Sequence, residues 1–190
     1  MAVSSTMLPL GTPAPRFTLP EPLTGNMVSL EDFGQRALLV MFICNHCPYV
    51  QHVRQGLVEL RAGYDPADLG MVAISANDPE AYPDDAPEQL AAAARAYGYD
   101  FPYLFDETQE VAAVYRAACT PDFFRFEESR RLVYRGRLDG SRPGSDVPVT
   151  GEELRRAIDS VLGGEPVPVE QHPSLGCSIK WRPGREPSYA

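Results

Sequence analysis

Seven consecutive apolar residues, Ala37–Ile43 (ALLVMFI), set the strongest constraint on this fold. The run is too short for a typical helix and turns no polar residue towards water. It therefore reads as a strand buried on both faces. Such a strand needs a sheet covered on both sides, which places the chain in the α/β class. LGMVAISAN, residues 69–77, reads as a second strand of the same kind. Between the two, PYVQHVRQGLVELRAGY places Val50, Val53, Leu57 and Leu60 at helical spacing, with Gly63 and Pro66 as stop signals.

Further along, DDAPEQLAAAARAYG reads as a helix, with Asp85 as its N-cap and Gly98 as its stop. FPYLFD reads as a short strand and ETQEVAAVYRAA as another helix. TPDFFRF and RRLVYRGRLD read as a hairpin turning at EES, adding an antiparallel edge. VTGEELRRAIDSVLGG reads as the last helix, with Thr150 and Glu153 spaced as a capping box. Beyond Gly164 the chain turns proline- and glycine-rich. The expected organisation is one domain over residues 1–164 and an extended arm over 165–190 that packs on it. Strand–helix alternation in the first half predicts a mostly parallel sheet.

The formal net charge is −9 over 190 residues, with a pI near 4.8. That charge repels nucleic acids and anionic membranes, so neither is an expected partner. No apolar stretch reaches the length of a membrane span. The first residues carry no basic segment ahead of a long apolar run, so a cytoplasmic location is expected. Four cysteines are too few for a disulfide scaffold. In a reducing compartment they point to catalysis, redox exchange or metal binding.

Two of the four stand together in FICNHCPYV, directly after the first apolar run. Cys44 falls at the end of the strand and Cys47 at the start of the helix, where reactive groups gather in open α/β sheets. The helix N-terminus offers free N–H groups and a partial positive charge, which predicts a depressed pKa at Cys44. Pro48 is tolerated there because its missing N–H would have had no helical partner. Cys44 would attack a disulfide and Cys47 would resolve the mixed disulfide, with His46 adding a hydrogen bond or positive charge. Half of a zinc site and inert packing are the competing readings. The first lacks a second close cysteine pair, and the second fits poorly with the strand-to-helix position.

The stretches GTPAPRFTL, NMVSLEDF and ALLVMFICNHCP, then ISANDPEAYPDD, FPYLFDETQEVAAVY, CTPDFF, LVYRGRLD and GCSIKW, resemble the thioredoxin-like superfamily. Within it the chain is similar to the redoxin (AhpC/TSA) branch, and most narrowly to peroxiredoxin-like proteins carrying a C-x-x-C pair. The resemblance covers almost the whole chain. It implies a thioredoxin-like fold: a central mixed β-sheet flanked by helices, with an N-terminal β-hairpin extension. It also implies a cis peptide bond between Thr120 and Pro121, in a loop facing the cysteines, where the Thr120 backbone pairs with an extended substrate segment.

Peroxiredoxins resemble P-x-x-x-T-x-x-C. Aligned on Cys47, this chain has Val40 for the proline and Cys44 for the threonine. That departure favours dithiol–disulfide exchange over peroxidase activity. His46 matches the histidine of strongly oxidising C-P-H-C oxidoreductases. The expected activity is thus a thiol–disulfide oxidoreductase needing no cofactor, with a thiol peroxidase and a Cu(I)- or Zn-binding module as alternatives. Its expected partners are protein or small-molecule disulfides and thiols, acting on a monomer or homodimer.

The remaining candidates read more plainly. Cys119 is expected to be a buried small hydrophobe near the cis-proline. A third redox thiol, or a third soft metal ligand beside Cys44, Cys47 and a histidine, is its alternative. Cys177 is expected to anchor the arm with Leu175, Ile179 and Trp181, or to reach Cys119 or the pair. His52 and His172 read as surface or packing residues. Glu80, Asp84 and Asp85 read as a solvated acidic turn, with a rim selecting basic peptides as the weaker alternative; Asp122 reads as a turn or strand-edge residue, with a proton acceptor near the pair as its alternative. Leu38, Leu39 and Val40 stand where a thioredoxin often carries a buried acid, so another group must move the proton.

Overall fold

Both apolar runs lie at the centre of the sheet. A computed structural model describes residues 2–190, and Met1, where the expected domain begins, lies outside the described residues. In chain order the elements are β1 (Ala2–Ser4), β2 (Thr18–Pro20), β3 (Met27–Ser29), β4 (Ala37–Phe42), α1 (Pro48–Ala62), β5 (Leu69–Ser75) and α2 (Pro87–Tyr97). They continue with β6 (Tyr103–Phe105), α3 (Glu110–Val114), β7 (Cys119–Thr120), β8 (Asp122–Phe126), β9 (Leu132–Gly136), α4 (Glu152–Leu162) and β10 (Leu175–Ser178).

The main sheet has the order β6-β5-β4-β8-β9. β4, β5 and β6 run parallel, while β8 and β9 are antiparallel to their neighbours, giving a mixed sheet. The expected hairpin supplies β8 and β9, but only β9 is an edge; β8 pairs with β4 on its other side. β2 and β3 form the N-terminal hairpin.

Every residue of β4 and β5 is buried, as the unbroken apolar runs require. Alternate β4 side chains serve opposite faces. Leu39 and Met41 pack with Val50, Val53, Leu57 and Leu60 of α1 and with Leu154 and Ile158 of α4. Leu38, Val40 and Phe42 pack with Phe17, Leu19, Val111, Tyr115 and Ile179. Each fully buried side chain of this size contributes about 1.5–3 kcal/mol. The centre of the sheet is therefore a rigid base for the Cys44–Cys47 segment.

Three local expectations are corrected. α2 is capped by Ala86 and begins at Pro87, not by Asp85, whose carboxylate is drawn into the site described below. α4 has Gly151 as its N-cap at φ 67°, not Thr150. Asp139 Oδ2 accepts the Thr150 and Gly151 amides at 2.7 and 2.6 Å. Glu153 is held instead by Arg137 and, at 3.0 Å, by His172. The helix expected over residues 107–118 is shorter, ending at Val114, because Tyr115 turns its ring into the core and Arg116 takes φ 53°.

The arm is not a loose tail. β10 forms a second sheet, β1-β10-β7, in which Cys177 pairs with Thr120 and Ser178 with Cys119. The Ile179 amide donates to the Ala118 carbonyl at 3.1 Å, and the Lys180 amide to Asn77 Oδ1 at 2.8 Å. At Gly176 there is no room for a Cβ, which would run into the Thr120 carbonyl oxygen. A side chain there forces the strands apart, and overpacking of this kind costs about 1–3 kcal/mol. Gly176→Ala is therefore expected to speed hydrogen exchange at the Ile179 and Lys180 amides roughly ten- to hundredfold, leaving β4 and β5 protected. Unchanged exchange at those amides would show that the arm is not so tightly seated.

Candidate active site

Cys44 leaves the end of β4 and Cys47 caps α1, so a three-residue step carries the chain from sheet to helix. Both cysteines are buried, at 1% and 0% exposure, in one packed cluster, and each shifts the ionisation of the other. Thr120, the last residue of β7, spans the two. Its Oγ1 lies 3.2 Å from Cys44 Sγ and its carbonyl oxygen 3.1 Å from Cys47 Sγ. The Thr120–Pro121 peptide is cis, as the resemblance implies. A cleft lined by Tyr49, His52, Pro121, Phe123 and Leu175 opens beside that proline.

The ionisation differs from the sequence expectation. α1 begins at Pro48, so its N-terminus acts on Cys47, the capping residue, and not on Cys44. The neighbouring Cys44 thiol first, against the cost of burial, and then Cys177 and the Val50 amide draw Cys47 down to about 4. Cys44 is raised, first by its bond to the Cys47 thiolate, then by burial and by the nearby Asp85 charge. One contact opposes this: the Thr120 carbonyl can accept only from a protonated Cys47. Several donors against one acceptor leave the thiolate on Cys47 in the reduced, closed form.

His46 points to a group that sequence reasoning placed elsewhere. Its Nδ1 lies 2.5 Å from Asp85 Oδ2. Asp85 is fully buried on a short 3-10 turn (Pro83–Asp85). It also accepts the Asn45 amide at 2.6 Å and Asn77 Nδ2 at 2.8 Å. The solvated-turn reading of Asp85 is thus corrected, while Glu80 and Asp84 are exposed. Burial alone would push the Asp85 carboxyl up; the bonds from His46, Asn77 and Asn45 outweigh it and hold it below the usual carboxylate range. The same bond raises His46. The His46 ring stacks on Tyr82 at 5.0 Å. Asn77 accepts from the arm through the Lys180 amide, so the ion pair and the arm share one network. Asp85 is the buried acid that Leu38, Leu39 and Val40 do not provide. The only sequence sign of it was the adjacent acidic pair in YPDDAPE.

The other candidates divide. Cys119 is buried and faces away from the pair, because neighbouring strand residues alternate and Thr120 faces it. Burial, then Asp122, raises its thiol. Asp122 is not an edge residue: it sits in β8 opposite Phe42, fully buried, and burial raises its carboxyl well above the usual carboxylate range. His52 is half-buried on α1, and His172 is an exposed partner of Glu153. The soft-ligand set including Cys119 is not assembled. Cys44, His46 and Asp85 do bring ligand atoms within 4.8 Å of one another. However, the 2.5 Å spacing of His46 and Asp85 is that of a shared proton. Two ligands on one tetrahedral zinc would stand about 3.3 Å apart.

The edge that the resemblance reserves for substrate, the backbone at Thr120, is taken by β10. The intended partner of Thr120 is supplied by the chain itself, and Cys177 arrives with it.

Comparison with known proteins follows the same line. The sequence model of the AhpC/TSA family matches residues 10–135. A crystal structure of an uncharacterised conserved protein from Geobacillus kaustophilus is 54% identical, covers 97% of this chain and 98% of its own, and superposes with a TM-score of 0.95. A Mycobacterium tuberculosis protein that carries a provisional peroxiredoxin name is 32% identical over 114 residues, 60% of this chain and 67% of that protein. A Chlorobium tepidum structure, provisionally named a thiol:disulfide interchange protein DsbE, is 23% identical and covers 82% of this chain and 99% of its own. Its TM-score of 0.61 shows the shared thioredoxin-like fold. No helix among the described residues is long and apolar enough to cross a membrane.

The His46–Asp85 pair gives stability a definite pH signature. Asp85 is lowered in the folded state, so its contribution is present above about pH 4 and is lost as pH falls through the folded value. His46 is raised, so its contribution is complete below about pH 6.5 and is lost as pH rises through the folded value. Asp85→Asn is expected to destabilise the fully reduced protein by about 3 kcal/mol between those limits, and less on either side. Urea unfolding across pH checks this; a deficit that does not vary with pH would rule out the ion pair.

Proposed function

The chain belongs to the AhpC/TSA family, and from that premise we propose that it is a thiol–disulfide oxidoreductase working through Cys44 and Cys47. The observation that carries the reading is the contact between the two sulfurs at the strand-to-helix junction, with Thr120 bridging them. Cys44 gives its proton across that contact to Cys47 and attacks one sulfur of a substrate disulfide. A Cys44 mixed disulfide forms and one substrate thiolate leaves. Cys47, deprotonated in turn, attacks the Cys44 sulfur. The second substrate thiolate leaves, and the Cys44–Cys47 disulfide has given two electrons to the substrate. The cleft beside Pro121 supports this as the approach to the pair. His46 and Asp85 position the Asn45–His46 step: they do not touch the substrate.

A second reading has its own support. The thiolate rests on Cys47, which aligns with the peroxide-attacking cysteine of peroxiredoxins, and the enclosed site favours a small oxidant. Cys47 would displace ROH from a hydroperoxide to form a sulfenic acid, and Cys44 would expel water to close the same disulfide.

Cys47→Ser is expected to trap a mixed disulfide on Cys44, and the wild type to accelerate insulin reduction by dithiothreitol. Capture on neither cysteine, with peroxide-dependent consumption of a coupled dithiol, would replace the first reading by the second. A stabilised Cys47 thiolate favours the reduced form. The pair's potential is therefore expected above the value of about −270 mV typical of thioredoxin. Titration against glutathione measures it, and a value at or below that level contradicts the assignment.

A further inference from the structure

Three sulfurs, not two, meet at this site. Cys177 lies opposite Thr120 in the β10–β7 ladder, so the two side chains share a face. Cys177 packs against the buried cluster that holds Cys44 and Cys47, and Cys47 Sγ lies 3.1 Å from the carbonyl oxygen of Thr120, the residue that Cys177 faces; the charge on Cys47 is felt at both neighbouring thiols. Cys47 is thus the middle member of the three. Cys44 and Cys47 are fully buried, whereas Cys177 is partly exposed. The backbone holds this arrangement closely: Gly176 has no room for a Cβ against Thr120, and flanking bonds at Ile179 and Lys180 fix the strand.

We propose that Cys177 is a third redox cysteine that takes the disulfide from the buried pair and presents it to solvent. The inference rests on the exchange reaction proposed above. Once Cys44 and Cys47 are joined, the Cys177 thiolate attacks Cys47 Sγ. The Cys47–Cys177 bond forms and the Cys44–Cys47 bond breaks, its electron pair leaving on Cys44. The proton lost by Cys177 is balanced by the one that Cys44 gains, and no external oxidant is needed. The arrangement suits this step, since Cys47, the sulfur attacked, neighbours both Cys177 and Cys44. An outside thiol or dithiol then reduces the protein at Cys177, while Cys44 is again free for a substrate.

The charges follow the same direction. In the reduced protein, burial and then the bond to the Cys47 thiolate raise Cys177 to about 11. Oxidation of the pair removes the negative charge on Cys47 and with it the second cause. Lys180, whose charge lowers Cys177, remains. Cys177 thus becomes a better nucleophile when the disulfide it must attack is present.

The test uses the full chain, reduced, then oxidised with oxidised glutathione, quenched by alkylation in acid and mapped as non-reduced peptides. Wild type is expected to yield both the Cys44–Cys47 and the Cys47–Cys177 peptide pairs. Cys44→Ser is expected to convert fully to the Cys47–Cys177 disulfide, with loss of the alkylated Cys177 peptide. Cys177→Ser should yield only the Cys44–Cys47 pair. Glutathione left on Cys47 of Cys44→Ser beside an alkylated Cys177 overturns the proposal. So does a wild-type map without the Cys47–Cys177 pair at every glutathione ratio, which needs no variant to fold. A wild-type map without the Cys44–Cys47 pair overturns the exchange reading instead, and is seen separately.

Discussion

Thr120 is the point on which the site depends. Its hydroxyl meets Cys44, its carbonyl meets Cys47, and its backbone carries the strand that brings Cys177. One buried residue at the end of β7 thus sets the positions of three sulfurs that come from two distant parts of the sequence. The position of Thr120 is itself secured by the main sheet. β8 starts two residues later and pairs with β4 along its length, so the loop and the Cys44 segment hang from neighbouring strands. Small movement in either would pull the sulfurs out of contact. The complete burial of β4 prevents it, because each displaced side chain would open a cavity costing several kcal/mol.

Charge is arranged around that contact with some economy. The chain is strongly acidic, yet the negative charge nearest the cysteines, Asp85, is bound to His46 and to two amide donors from Asn45 and Asn77. A free carboxylate beside Cys44 would oppose a thiolate at either sulfur. A compensated one opposes it less and holds the Asn45–His46 turn in place. Asn77 then ties this turn to the arm through Lys180, the only lysine in the chain. The arm, the ion pair and the cysteine pair are in consequence one connected structure. Family membership places the protein among thioredoxin-fold redox proteins. In this chain the edge at Thr120 is closed by its own β10.

Much of the fold was legible in the residues. ALLVMFI and LGMVAISAN became the fully buried β4 and β5, and the i, i+3, i+4 spacing of Val50, Val53, Leu57 and Leu60 became the inner face of α1. The cysteine pair was legible too, since its spacing and its place after a strand are local facts. The errors share one cause. Asp85 and Thr150 look like helix caps from local spacing, but each lies where distant groups compete for the same atoms. Asn45 and His46 take the Asp85 carboxylate, and Asp139 takes the amides that begin α4. Asp122 looked like an edge residue because nothing local says that β4 will lie beside it.

By itself the sequence determined the class of fold, the central strand, the reactive pair and the family resemblance. All of these follow from periodicity and from motifs only a few residues long. Tertiary structure alone decided which sulfur carries the charge, which acid stands near it and what covers the edge at Thr120. Each of those depends on atoms brought together over 39 to 76 residues of chain, or across the whole length from β7 to the arm. Electrostatics and hydrogen bonding act over a few ångströms in space. A linear pattern therefore identifies the groups, and only their packing fixes which of them meet.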